Sequence, residues 1–154
     1  MTAARRLVLV DLDNLLGLDP RRAAVPAYMH AYATFADSVG ISERDLVVVG
    51  VGPCAAWVAQ TAAPGARIVT RTGPDGAEIR LLRELVDPGF VARRFGEVIV
   101  ASGDHRFVDA LATLNRYAVA TTVASIPNQL SRRLRLVAQR VVWLPRPPEH
   151  RVAA

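Results

Sequence analysis

The sequence contains no lysine, a single cysteine and only three histidines, and it has no long uncharged apolar run. A lone Cys54 excludes an internal disulfide bond, and so few sulfur and imidazole ligands make a zinc site unexpected. The apolar runs are far shorter than the roughly 18 residues that a membrane span needs. The first of them has only four residues before the first acid, too short for a signal peptide. We therefore expect a cytoplasmic protein without membrane association.

All 19 basic residues are arginines, and the formal net charge is +5. Arginine binds phosphate through a planar fork of donors, so nucleic acid is a reasonable partner. Abundant Ala, Arg, Val, Gly and Pro also suit a GC-rich coding bias, so the charge alone decides little. With 154 residues, of which 51% are hydrophobic, the chain is expected to form one domain with a packed core.

The stretch around which the chain is organised is Arg6 to Leu16, RLVLVDLDNLL. Its apolar run is typical of a strand buried on both faces, as in parallel sheets. Asp11 follows at the carboxyl end of the strand, where open α/β sheets bind ligands. Two carboxylates one residue apart, Asp11 and Asp13, are costly to hold together unless a cation neutralises them. The alternative is that Asp13 or Asn14 only caps a turn.

A second stretch, Glu97 to Asp109, repeats this pattern. Val98 to Ala101 is another apolar strand, and the turn Ser102-Gly103-Asp104 delivers an acid at its carboxyl end. Buried parallel strands that each end in an aspartate are what an acidic metal site requires. Hard divalent cations prefer carboxylate and water oxygens.

Apolar runs alternate along the chain with segments of helical periodicity. The pattern predicts βαβ units and a three-layer α/β/α sandwich around a mostly parallel sheet of five to six strands. We predict strands at 7–10, 46–51, 66–70, 98–101, 119–124 and 141–144, and helices at 26–39, 54–62, 77–86, 104–116 and 131–139. Trp57 and Val58 are expected to face inward. Residues 1–144 form the predicted domain, and 145–154 a loose C-terminal tail.

The acids predict a cluster at one edge of the sheet. Glu78 follows a glycine-containing turn and opens a helix, so its carboxylate could project toward the strand ends; the alternative is an acid that stabilises the helix N-terminus. The predicted metal ligands for Mg²⁺ or Mn²⁺ are Asp11, Glu78, Asp104 and Asp13, with Asn14 and Ser102 in supporting positions. Such a cluster suits hydrolysis at phosphorus.

Three motifs, in this order, resemble those of the NYN domain, a family of PIN-like ribonucleases. They are the DLDN of Asp11 to Asn14, the GAE of Gly76 to Glu78 and the ASGD of Ala101 to Asp104. The resemblance implies a three-layer α/β/α domain and divalent-metal-dependent cleavage of RNA. It also implies a catalytic cluster at Asp11, Glu78 and Asp104, with the family's conserved Asn at Asn14.

The sequence departs from this family pattern at three positions. Glu78 replaces the usual aspartate, and its side chain is one methylene group longer. Arg106 stands where a second aspartate often follows the SGD acid, and Asp75 replaces a lysine common before the middle acid. We expect Arg106 to point outward, where it could bind a substrate phosphate. Arg132 and Arg133, after the turn at Pro127, are also predicted to bind RNA, the alternative being a solvated helix face.

Two other functions remain as alternatives. One is a non-catalytic RNA- or protein-binding module, supported by Arg106. The other is a phosphatase of the haloacid-dehalogenase type, whose nucleophile motif resembles VDLDNLL; Asp11 would then attack phosphorus and Asp13 would be the general acid. The chain lacks the lysine of that family's phosphate-binding motif. RNA is the expected partner, and a homodimer is left open.

Overall fold

A parallel sheet of six strands forms the centre of the computed structural model, which describes residues 4–17 and 19–148. The strands are β1 (Arg6–Asp11), β2 (Leu46–Val51), β3 (Arg67–Thr70), β4 (Glu97–Ala101), β5 (Ala120–Ser125) and β6 (Arg140–Trp143). Their order is β3-β2-β1-β4-β5-β6, and every neighbouring pair is parallel. The predicted sheet, including its short sixth strand, is confirmed.

Helices cover both faces of this sheet. They are α1 (Leu12–Leu15), α2 (Val25–Val39), α3 (Ala56–Ala62), α4 (Gly76–Leu82), α5 (Pro88–Arg94), α6 (Val108–Arg116) and α7 (Arg132–Val137). Residues of α1, α2 and α3 pack on one face, and residues of α4 to α7 pack on the other. The predicted three-layer α/β/α sandwich is therefore confirmed.

The two cores explain why these strands are continuous apolar runs. Val8 and Val10 of β1 face the α2 side, whereas Leu7 and Leu9 face the α4 to α7 side. All four side chains are at most 2% exposed. Complete burial of such a side chain stabilises a fold by roughly 1.5–3 kcal/mol, so an alternating polar pattern would be costly here.

Two helices were not predicted from the sequence. The predicted helix at 77–86 is followed directly by Asp87-Pro88-Gly89, and this stretch begins α5. The Asp87 carboxylate accepts a hydrogen bond from the Phe90 amide at 2.9 Å, and Pro88 occupies the first helical turn, where its missing N–H costs nothing. The short α1 follows β1 directly because Asp11 caps it.

Trp57 is 65% exposed, so the prediction that it faces inward is wrong. The helix α3 has only seven residues, and its buried positions are Val58 and Ala59. So short a helix packs only a narrow apolar stripe against the sheet. Trp57 lies beside this stripe and stays exposed to solvent.

The predicted C-terminal tail is described only as far as Pro148; residues 149–154 lie outside the described residues. The segment 145–148 has no helix or strand. Pro145 and Pro147 line a small cavity together with Leu16 and Phe35, and the preceding Leu144 is buried. Within the described ranges, no helix has the length and apolarity needed to cross a membrane.

Candidate acidic site at the switch point of the sheet

The strand order places a topological switch point between β1 and β4. From β1 the chain continues to one side, through β2 and β3, and from β4 it continues to the other, through β5 and β6. Connections that leave in opposite directions open a crevice at the carboxyl ends of the two strands, where open α/β sheets bind ligands. Val10 pairs with Ala101 in the register, so Asp11 and the turn that carries Asp104 border this crevice.

Asp11 is the last residue of β1 and is only 2% exposed. Its Oδ1 atom accepts a hydrogen bond from the Asn14 amide at 3.2 Å, which caps α1. Burial raises the pKa of Asp11 well above its usual range, and the neighbouring charge of Glu78 raises this pKa further. The carboxylate is thus held at the strand end in a setting that disfavours its negative charge.

Glu78 lies in the first turn of α4, with a side chain that is 13% exposed. Its carboxyl group lies close enough to that of Asp11 for each to shift the pKa of the other. Burial raises the pKa of Glu78, and the charge of Asp104 raises it further. Two carboxylates this close repel each other unless a proton or a cation neutralises them. Glu78 therefore projects toward the strand ends, as its position after the glycine turn predicted.

Asp13 completes the acidic lining of this cleft. Its Oδ2 atom accepts a hydrogen bond from the Gly52 amide at 3.0 Å. Its Oδ1 atom is buried and forms no well-aligned hydrogen bond within the described residues, although the Tyr28 hydroxyl lies near the carboxylate and favours its charged form. Burial raises the pKa of Asp13. The cleft, of about 240 Å³, is lined by the three acids and by Asn14, Gly52, Pro53, Arg71, Gly73, Asp75, Gly76 and Ala77.

Asp104 lines a second, adjoining cleft. Its amide donates to the buried Ser102 hydroxyl at 3.2 Å, and its Oδ1 atom accepts from the Arg106 amide at 2.8 Å. Ser102 thus shapes the turn that carries Asp104. Asn14 lines both clefts and stands between them. The predicted set therefore divides: Asp11, Asp13 and Glu78 share one cleft, and Asp104 borders it close enough for its charge to act on Glu78.

Arg106 does not point outward, so that prediction is wrong. Its Nη1 atom lies 2.8 Å from Asp75 Oδ2 and 3.1 Å from Glu78 Oε2. Asp75 adopts a left-handed backbone conformation, with φ of 55°, at the start of α4. Two carboxylates on one side of the cleft thus hold the guanidinium of this exposed residue. A cation of the chain itself therefore neutralises part of the acidic cluster.

The contact of Asp75 with the site was not predicted from the sequence. A signal for it was present, because positions 75 and 106 both depart from the pattern of the family that the chain resembles, and in opposite charge. One ion pair would explain both departures, because Asp75 stands where a lysine is common and Arg106 stands where an aspartate is common. The structure places these two side chains in contact.

Arg132 and Arg133 lie at the start of α7, near the same edge of the sheet. The Ser131 amide donates to the Gly103 carbonyl at 2.9 Å, which joins α7 to the turn that carries Asp104. Both arginines are exposed, and neither forms an ion pair within the described part of the chain. Their predicted location beside the acids is therefore correct, and their binding of RNA stays a prediction.

The cluster is not a complete metal site in this arrangement. Among the described residues, no group of three or more His, Cys, Asp or Glu side chains is placed to hold a metal ion. The donors that are present are nonetheless all oxygens. One oxygen of Glu78 contacts Arg106, and one oxygen of Asp13 is buried without a well-aligned hydrogen bond in the described chain. Exchange of the guanidinium for a cation would be needed to complete the set.

The fold and the cleft together define an α/β protein with a doubly wound parallel sheet and an acidic crevice at its switch point. A similar architecture is found in the crystal structure of a protein of unknown function from Vibrio parahaemolyticus. The two chains align with a TM-score of 0.64 and 16% identity, over 93% of this chain and 96% of the other. This likeness shows the fold alone. No protein-family model and no curated protein matches the sequence.

Proposed function

We propose that this protein is a divalent-metal-dependent ribonuclease of the PIN-like, NYN type. The observation that carries the proposal is the convergence of Asp11, Asp13 and Glu78 on one cleft at the carboxyl ends of the strands. Asp11 is buried and Asp13 and Glu78 are half-buried, all three with raised pKa values, and a bound cation would stabilise such a cluster. Acids with only a structural or solvated role would not be expected to gather in one cleft.

The donor set fits a hard divalent cation. Asp11, Asp13 and Glu78 would hold Mg²⁺ or Mn²⁺, because these ions prefer carboxylate oxygens. A bound cation of this kind lowers the pKa of a coordinated water and offsets negative charge on a phosphate. Glu78 must exchange its contact with Arg106 for such a cation.

The remaining polar residues have roles that follow from their positions. Asn14 lies between the two clefts, where its amide can hydrogen-bond a phosphate that spans them. Asp104 stands beside the acidic cleft, and its turn is fixed by Ser102 and by the Arg106 amide. From this place its carboxylate can orient a water molecule against phosphorus. The exposed Arg132 and Arg133 would bind the phosphates of the RNA chain.

The burial of Asp11 favours this proposal over an aspartyl phosphatase. A nucleophilic carboxylate must approach phosphorus in line, whereas Asp11 is only 2% exposed and its carboxylate accepts from the Asn14 amide. The chain also has no lysine to bind the transferred phosphate. The ion pair between Arg106 and Glu78 favours a second candidate, a non-catalytic RNA-binding module in which the arginine takes the place of the cation.

Cleavage of single-stranded RNA separates these candidates. We expect the protein to cut RNA in Mn²⁺, to lose this activity in EDTA and to regain it on addition of excess Mn²⁺. The variant Asp104→Asn, which keeps the shape of the side chain and its contact with the Arg106 amide, should lose at least roughly a hundredfold in rate. Equal rates for the two proteins would remove Asp104 from the site, and RNA binding without cleavage would favour the binding module.

Replacement of Arg106 by alanine tests how far this residue opposes the cation. Its guanidinium lies 3.1 Å from Glu78, so its loss removes a positive charge beside the proposed cation. We expect Mn²⁺ affinity, measured by calorimetry, to rise about tenfold, on the scale of a screened unit charge at close range. Arg116→Ala is the matched control, because it removes the same charge from the exposed end of α6. Unchanged affinity in Arg106→Ala would show that the arginine and the cation do not compete.

A further inference from the structure

The second half of the chain carries the basic excess of the protein. Residues 110–148 contain six arginines and no aspartate or glutamate. The formal net charge of the whole chain is +5, so this segment accounts for all of it. Three of these arginines, Arg132, Arg133 and Arg135, lie together on α7 and are exposed, and such a group of cations suits a polyanion.

Besides Tyr117, which follows α6, this segment has one exposed aromatic side chain, Trp143 at the end of β6. It is 46% exposed, and the guanidinium carbon of Arg135 lies 5.4 Å from its ring centroid. β6 is the last strand of the sheet, so no further strand of the described chain covers its outer edge. An indole braced by a guanidinium presents a flat surface of the kind on which nucleic-acid bases stack.

The register places Trp143 at the same end of the sheet as the acids. Trp143 pairs with Ser125, the last residue of β5, and Ala124 pairs with Ala101, the last residue of β4. β6 is three strand spacings from β1, roughly 14 Å at about 4.8 Å per spacing. The cleft that contains Asp104 and Ser131 lies along this path. A strand of nucleic acid can thus reach Trp143 directly from the acidic cleft.

We infer that Trp143 and Arg135 form a stacking platform that binds an unpaired base of single-stranded RNA beside the acidic cleft. The identity of the polymer as RNA rests on the proposed function. Arg132 and Arg133, at the start of α7, bind the phosphates on the path between the platform and the cleft. Base-paired RNA cannot offer a free base face, so the platform selects single strands.

Intrinsic fluorescence offers a direct test, because the chain has only two tryptophans. In Trp57→Phe, Trp143 is the remaining indole, and we expect a short single-stranded oligonucleotide of RNA to quench its emission when titrated in EDTA. In Trp143→Phe, the remaining Trp57 is 65% exposed and lies on α3, so it serves as the matched reporter away from the platform. Quenching of Trp57 with no change at Trp143 would overturn the inference.

Two substitutions test the energetics of the platform. Arg135→Ala and Trp143→Leu should each weaken binding of single-stranded RNA about tenfold, on the scale of one stacked base, and leave binding of an RNA duplex unchanged. Arg116→Ala is the charge control, and circular dichroism checks the fold of each variant. An equal loss for single strands and duplex would assign Arg135 to general charge attraction and overturn the platform. Wild-type affinity for single-stranded RNA in both Arg135→Ala and Trp143→Leu would also overturn the platform.

The outcomes also separate this inference from the proposed function. Quenching at Trp143 without any cleavage of RNA in Mn²⁺ would keep the platform and reject the nuclease. Cleavage of RNA without quenching at Trp143 would keep the nuclease and reject the platform. If RNA neither quenches Trp143 nor binds to the protein, the platform is rejected. The basic edge would then suit an acidic protein partner instead.

Discussion

Asp11→Asn is expected to abolish metal-dependent cleavage of RNA while making the metal-free protein more stable at neutral pH. Asparagine keeps the acceptor for the Asn14 amide, so the cap of α1 survives, and its amide can donate to the neighbouring Glu78 carboxylate. It lacks the negative charge that burial opposes and that the cation requires. We expect the rate to fall at least roughly a hundredfold and the thermal midpoint in EDTA to rise.

The pH dependence of this gain follows from the direction of the pKa shift. The pKa of Asp11 is higher in the folded protein than in the unfolded chain, where it lies near the ordinary value of roughly 3.9. The folded state therefore binds more protons, and its stability falls as pH rises above the unfolded pKa and through the folded one. The stabilisation of Asp11→Asn relative to wild type should be small near pH 4 and grow toward neutrality, in thermal melts recorded at several pH values.

Glu43→Gln is the matched control for this variant. Glu43 is exposed and precedes β2, at the end of the sheet opposite to the acids. It should change neither the rate nor the pH dependence of stability. A wild-type rate in Asp11→Asn would remove Asp11 from the site, and an unaltered pH dependence would contradict the effect assigned to its burial.

Gly103→Ala is expected to destabilise the protein by roughly 3 kcal/mol, the upper range for a residue forced into occupied space. A Cβ atom at this position would overlap the carbonyl group of Gln129. To accept it, the turn that carries Asp104 must separate from the loop that leads to α7. The hydrogen bond from the Ser131 amide to the Gly103 carbonyl would be lost with it. Denaturation with urea measures the change as a lower midpoint with an unaltered slope.

Gly52→Ala provides the comparison for this prediction. Gly52 has a φ of −62°, which alanine adopts freely. Its added Cβ atom would lie 3.7 Å from Asp13 Oδ2, an ordinary van der Waals contact. We expect its stability to stay within about 0.5 kcal/mol of wild type. Similar midpoints for the two alanine variants would contradict the close packing of the two loops at Gly103.

The sequence was most informative where local chemistry decides local structure. Leu7 to Val10 and Leu46 to Val51 could form little other than buried strands, because they are continuous runs of Leu and β-branched residues interrupted at most by one glycine. Asp87-Pro88 shows the limit of such reasoning. An aspartate followed by proline marks the start of a helix as well as the end of the one before it, and only the packing of Val91 on the sheet shows that the second helix forms.

The fold class, and the edge of the sheet at which the acids gather, follow from the sequence. Parallel strands that each end in an aspartate must bring those residues to one edge, whatever the details of packing. The tertiary structure alone decided the division of the acids between two clefts and the direction of Arg106. The guanidinium turns inward because Asp75 and Glu78, far away in the chain, present their carboxylates to it. A long side chain has many rotamers of similar energy, and the charges that select among them are set by the fold.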